Sequence, residues 1–255
     1  MPPSADPAQA GLVWQEAVIE ALDRLSPRVV RVVLRPTHWI RPMAGQHLDL
    51  RLTAEDGYRA QRSYSLLSPP DREGVYELGI ERLDEGEVSP WFHEAAQVGE
   101  SVEVLGPVGG HFVWQATDAR PTLLVGSGSG VVPLLSMAAH RAAQPKAAHM
   151  VLQVAARTVG DVLLWSELQA WEAQDSGFQS RLALSQATRV DRPQDHAGRL
   201  RESDLAAALQ RLGDGAAQSA QVFVCGRNDF VENAVGMLRA LRVPDSAIRT
   251  ERFGG

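Results

Sequence analysis

The sequence predicts two domains in series: an antiparallel six-stranded β-barrel over residues 1–117, then a parallel-sheet α/β domain over 118–255. Three observations lead there. Short runs rich in Val, Leu and Ile are separated by Gly, Pro, Asp and Ser up to about residue 117. Strand-like and helix-like segments alternate after Arg120-Pro121, and a glycine-rich turn joins the first such pair.

In the first half the strands are expected at WQEAVIEALD, RVVRVVLRP, QHLDLRL, RSYSLL, VYELGIERL and SVEVLGP. Six short strands at this spacing suit a barrel or sandwich. One helix is expected to interrupt them, with Ser89 as its cap, Pro90 in its first turn and WFHEAAQ following. In the second half PTLLVG leads to VVPLLSMAAHRAA, HMVLQVAA to DVLLWSELQAWEA, SRLALS to SDLAAALQRL, and QVFVCG to NDFVENAVGMLRAL. Apolar strands between amphipathic segments predict a parallel sheet covered on both faces. DRPQDHAG (191–198) reads as an exposed loop.

A chain of 255 residues with 44% hydrophobic and 22% charged residues is an ordinary globular composition. The net charge of −6 supplies no global basic field for nucleic acid or anionic lipid. MPPSADPAQAGLVW lacks a basic segment followed by an apolar core, and no run approaches the roughly 18 apolar residues of a membrane span. A cytoplasmic location without membrane insertion is the expectation. The single cysteine, Cys225, leaves no disulfide framework and no all-cysteine metal or iron–sulfur site within these residues. No metal ligand set is expected, and any metal centre would belong to a partner.

Several short stretches could carry chemistry. In VGSGSGVVP, Gly126, Gly128 and Gly130 would let backbone N–H groups approach a phosphate at a helix N-terminus, although a tight strand-to-helix turn reads equally well. Val132-Pro133 stands where the usual dinucleotide fingerprint has its third glycine. GPVGGHF (106–112) could be a sharp corner, and Gly86-Glu87-Val88-Ser89 a helix cap or an anion contact. On an extended RSYS, Arg62 and Tyr64 share a face: a guanidinium for phosphate and a flat ring for another flat ring, or two residues on the outside of a barrel.

Read in order, RSYS, GEVS, GPVGGHF, GSGSGVVP, VCGRNDF and the terminal ERFGG resemble the motif series of the ferredoxin–NADP reductase superfamily over almost the full length. The resemblance implies FAD on the barrel, with Arg62 on the pyrophosphate, Tyr64 against the isoalloxazine and Ser65 near flavin N5. Gly86, Val88 and Ser89 match a second pyrophosphate contact, and Gly126, Gly128 and Pro133 the loop that receives the nicotinamide dinucleotide. Cys225-Gly226 would lie beside the nicotinamide, and Glu251 and Phe253 match acidic and aromatic positions near the C-terminus, so Ser65, Cys225 and Glu251 are the candidate catalytic set. Gly254-Gly255 depart from relatives in which an aromatic residue ends the chain.

Arg157, Arg189 and Arg199 match positions that NADPH-using relatives employ for the 2′-phosphate, which favours NADP(H) over NAD(H). The implied activity is hydride transfer from NADPH to FAD, followed by single electrons to a separate ferredoxin, flavodoxin, oxygenase or other redox enzyme. The alternatives are a reductase subunit active only within a larger complex and a non-catalytic flavin- or nucleotide-binding module. Arg35, Arg41, Arg59 and Arg72 could meet an acidic carrier, or be scattered surface residues.

Overall fold

The computed structural model describes residues 12–144, 148–175 and 177–253; most of the N-terminal stretch read for a leader, residues 1–11, and Gly254-Gly255 lie outside it. Six antiparallel strands come first: β1 (Gln15–Arg24), β2 (Val29–Pro36), β3 (His47–Thr53), β4 (Arg59–Ser65), β5 (Tyr76–Glu81) and β6 (Ser101–Val108). Their order is β4-β3-β6-β1-β2-β5, and an antiparallel bridge from Leu66 to Leu78 joins the two ends into a barrel. Alternation decides the interior. Ala17 and Ile19, Val30, Val32 and Leu34, Leu48 and Leu50, Leu78 and Ile80, and Val102 and Val104 point inward as one core.

Helix α1 (Val88–Glu94) follows β5. The expected cap is corrected here. Glu87 occupies the cap position without a side-chain bond, whereas Ser89 lies inside the helix, buried, its Oγ accepting the Leu83 N–H at 3.1 Å. The hydroxyl ties the preceding loop to the helix instead of ending the helix.

The second sheet is wholly parallel. Its strands are β7 (Thr122–Ser127), β8 (Met150–Ala156), β9 (Phe178–Leu184), β10 (His196–Ala197), β11 (Gln221–Gly226) and β12 (Ile248–Arg252), in the order β10-β9-β8-β7-β11-β12. Helices α2 (Val132–Ala142) and α3 (Trp165–Gln174) cover one face; α4 (Glu202–Leu212), α5 (Ala216–Ser219) and α6 (Asn228–Ala240) cover the other. Adjacent residues divide between the two cores: Leu124, Phe223 and Cys225 pack towards α2, Leu123, Val125, Val222 and Val224 towards α4 and α6. Burial on both faces is why these strands read as continuous apolar runs.

Three segments differ from the sequence reading. The helix expected from Asp161 starts at Trp165, because Leu164 takes a left-handed conformation at φ 51° after a 3-10 turn at Val159–Asp161. DRPQDHAG is only partly exposed, since Arg192 bonds to Glu172 at 3.0 Å and to Asp195 at 2.7 Å, and His196–Ala197 forms the edge strand. The strand at Ile248–Arg252 was not foreseen; short and flanked by charge, it gains its place by pairing with β11.

The barrel and the parallel sheet share apolar core. Val29, Ala44, Leu67, Phe112 and Trp114 join the cluster built on α2. Ser136 on α2 donates to the Ser68 carbonyl at 2.7 Å, and His140 Nδ1 lies 2.6 Å from Asp71. Gly79 makes room for Val132, whose Cγ2 would stand 2.6 Å from an added Cβ.

Candidate functional site

A cleft of about 1150 Å³ opens where the two sheets meet. One wall is barrel: Arg62 to Ser65 on β4, Gly79 and Glu81 on β5, and Gly86 to Ser89 at the head of α1. The other is formed by the carboxyl ends of β7, β8 and β9 and the first turns of α6, the edge at which open parallel sheets gather ligands. The shape therefore follows from both folds, neither of which encloses it alone.

Each wall presents distinct chemistry. Among the described residues Arg62 makes no ion pair; its exposed guanidinium donates to the Gln61 carbonyl at 2.7 Å. Tyr64 is half-buried against the barrel core, and loss of solvent pushes its hydroxyl up to about 12, so it is neutral at any physiological pH. Ser65 is 5% exposed and its Oγ has no protein partner. A buried hydroxyl without a partner costs free energy, on the order of 1–3 kcal/mol, until something bonds to it. Gly86 has φ +149° with open space where a side chain would stand.

On the sheet side, Gly128 has φ +55°, and neither the 3-10 turn Gly128–Val131 nor α2 receives a side-chain cap. Gly126, Pro133, Cys225, Gly226 and Glu251 are not on the cleft wall; the first four are buried and Glu251 is partly exposed. Gly126 leaves space for Leu134 and Val131, and Gly226, at φ +159°, for Ser127 Oγ and the Phe230 ring. Burial pushes the Cys225 thiol well up, and the neighbouring Glu251 adds to it, which leaves a protonated thiol and no nucleophile. Burial likewise raises the Glu251 carboxyl from the usual 4.5 to about 7, and its Oε2 has no partner. Phe253 lines the cleft, its N–H bonded to the Gly226 carbonyl at 3.0 Å.

The three coenzyme arginines separate. Arg157 lines the cleft but is bonded to Asp161 at 2.7 Å, Arg199 lines it and is exposed, and Arg189 is exposed and off the wall. Arg227 on the wall was not foreseen, nor were Glu81 and Ser129, which bond to each other across the cleft at 2.7 Å. No local pattern marks that pair, because its residues lie 48 positions apart. Of the four arginines considered for a carrier, Arg35 pairs with Glu20, Arg41 with Asp71 and Arg72 with Glu77, which makes them poor as a free basic patch; Arg59 is exposed. Among the described residues no cluster of His, Cys, Asp and Glu could hold a metal, and no helix is long and apolar enough to cross a membrane.

Comparison with known proteins defines the class. Residues 19–114 match the oxidoreductase FAD-binding domain and residues 124–235 the oxidoreductase NAD-binding domain, so the protein pairs a flavin-binding with a nicotinamide-nucleotide-binding domain. Ferredoxin–NADP reductase B of Sorangium cellulosum is 30% identical over 216 residues, covering 82% of this chain and 84% of that protein. The chain belongs to the ferredoxin–NADP reductase superfamily. It is also 26% identical over 236 residues to the reductase component of phenol 2-monooxygenase from Pseudomonas sp. (strain CF600), covering 92% of this chain but 64% of that one. It spans 56% of the ferredoxin reductase component of Mycobacterium tuberculosis 3-ketosteroid-9-alpha-monooxygenase, at 29% identity over 218 residues and 86% of this chain. The FAD/NAD-binding domain of nitric oxide dioxygenase from Vibrio cholerae has the same fold, with TM-score 0.82, 23% identity, and coverage of 94% and 99% of the two chains.

Proposed function

We propose that the protein is an FAD-dependent NAD(P)H reductase that takes hydride from a nicotinamide coenzyme and passes electrons singly to a separate redox protein. The observation that carries this reading is the cleft itself, which brings Arg62, Tyr64 and Ser65 of the barrel together with Ser127, Gly128 and Ser129 of the glycine turn. The residues present fit a flavin dinucleotide. About 1150 Å³ is slightly above the usual range for small-ligand pockets, as an extended ligand requires. Arg62 is available for a pyrophosphate, the neutral Tyr64 ring for stacking, and the orphaned Ser65 Oγ for a polar edge.

FAD, when bound, supplies the two-electron acceptor and one-electron donor. The chain's own task is alignment: Tyr64 fixes one ring, Gly128 lets the backbone approach a phosphate, and Phe253 limits access to the cleft. Gly86, Val88 and Ser89 add the second phosphate contact, and Ser65 with Cys225 and Glu251 behind it shapes the nicotinamide end. Since Cys225 is protonated and fully buried, its part is packing and polarity.

NADPH is favoured over NADH, with Arg199 and Arg227 on the wall as the cations for a 2′-phosphate and Arg157 available once it leaves Asp161. The acceptor is a ferredoxin, flavodoxin or oxygenase component, and the location cytoplasmic; relatives named as reductase components of oxygenases support the former. We put the domain division at 117/118, a reading supported by the change from strands alone to alternating strands and helices along the sequence.

An anaerobic titration of the yellow protein with NADPH and NADH in parallel tests this. Flavin bleaching is expected with both, faster with NADPH; bound FAD that neither reduces would overturn the reductase reading. Arg62→Gln is expected to weaken FAD binding roughly 10- to 150-fold, the loss of one charged hydrogen-bonding partner of about 1.5–3 kcal/mol. Flavin fluorescence during dilution reads the change.

A further inference from the structure

The glycine turn that faces the coenzyme side of the cleft already meets an anion, and the other domain supplies it. Glu81, the last residue of β5, reaches across so that its Oε2 accepts the Ser129 hydroxyl at 2.7 Å. The same oxygen would stand 3.8 Å from a side-chain carbon built on Gly128, which places the carboxylate over the turn. The turn and α2 have no side-chain cap of their own. The Ser129 hydroxyl is therefore the turn's observed bond to Glu81.

Glu81 is held through both oxygens, one contact short and one long. Its side chain is 30% exposed, and its other oxygen lies 3.5 Å from Arg28 Nε, a longer ion pair. Arg157 is near enough to feel its charge but is bonded to Asp161. Arg28 thus holds the carboxylate through one oxygen while Ser129 holds it through the other.

We propose that Glu81 is an affinity- and release-determining residue: an internal anion that competes with the coenzyme's phosphates for the glycine turn. This rests on the reductase reading and deepens it. An incoming dinucleotide meets a like charge beside the turn that its own phosphate would approach, so binding works against that charge and displaces Glu81 Oε2 from Ser129, with Arg28 left as the carboxylate's partner. When the oxidised coenzyme leaves, the carboxylate returns to Ser129 and shields the vacated turn. Coenzyme affinity is thereby held down and its release hastened.

A charge series at this position tests the idea on the FAD-loaded protein. Binding of NADP+ and NAD+ is measured calorimetrically for the wild type, Glu81→Gln and Glu81→Lys, at two salt concentrations. Glutamine keeps the length and an acceptor for Ser129 while removing the charge. Kd is expected to fall on the order of tenfold in Glu81→Gln, the scale of one like charge in a partly wetted cleft, and further in Glu81→Lys, with steeper salt dependence at each step. A hydrogen-bonding or structural role alone would leave glutamine equal to the wild type and would make lysine weaker. Unchanged or weaker binding in both variants, with FAD bound and wild-type binding measurable, overturns the inference while leaving the reductase reading intact. FAD-loaded protein that binds neither dinucleotide in any form overturns both.

Discussion

Glu251→Gln is expected to stabilise the protein at pH 8 by up to about 3 kcal/mol relative to its effect near pH 4.5. The cause is a carboxyl that burial raises from the usual 4.5 to about 7, with one oxygen unpartnered, beside the fully buried Cys225. Between those two values the folded chain keeps a proton that the unfolded chain has released. Stability therefore falls as pH rises from 4.5 to 7, and above 7 the fold carries a buried charge without a counter-ion. Glutamine has the same shape and no charge, so the variant escapes that loss. Urea unfolding midpoints of both proteins at pH 5 and pH 8 read the result. A difference that is the same at both values would show that Glu251 titrates as an ordinary exposed glutamate.

Gly130→Ala is expected to destabilise the protein by about 3 kcal/mol or more and to disorder the coenzyme side of the cleft. A Cβ there would lie 2.6 Å from the Gly226 Cα and 2.7 Å from the Cys225 carbonyl carbon and oxygen. These are backbone atoms of β11, which is paired on both sides and cannot move aside as a side chain would. Relief must come from moving the turn, and with it the N-terminus of α2. Gly236→Ala is a fair control, since nothing lies within 4 Å of a side-chain carbon at that exposed helical site. The expected pattern is a lowered thermal midpoint and weakened NADP+ binding in Gly130→Ala, with neither in Gly236→Ala. Near-wild-type values for both would mean that the turn yields more easily than its packing suggests.

Much of this architecture is legible along the chain because its causes are local. The period of two sets Val30, Val32 and Leu34 on one face of a barrel strand, and the continuous apolar run Leu123, Leu124 and Val125 marks a parallel strand buried on both faces. RSYS and GSGSG announce a polar strand end and a glycine turn, and both do reach the cleft. The reading failed where tertiary partners override local signals. Ser89 looks like a cap but bonds backward to Leu83, and the strand carrying Glu251 is too charged and short to be seen before β11 pairs with it.

The sequence by itself determined two folds, their order and the residue types available for a flavin and a nicotinamide coenzyme, because periodicity and turn chemistry act over a few residues. Only the tertiary structure decided which of those residues share a cavity. It set Arg199 on the wall, left Arg189 off it, occupied Arg157 with Asp161, sealed Cys225 behind the surface and laid Glu81 over the turn at Ser129. Those outcomes depend on how the barrel docks against α2, and docking is fixed by packing between residues far apart in the chain, such as Gly79 against Val132.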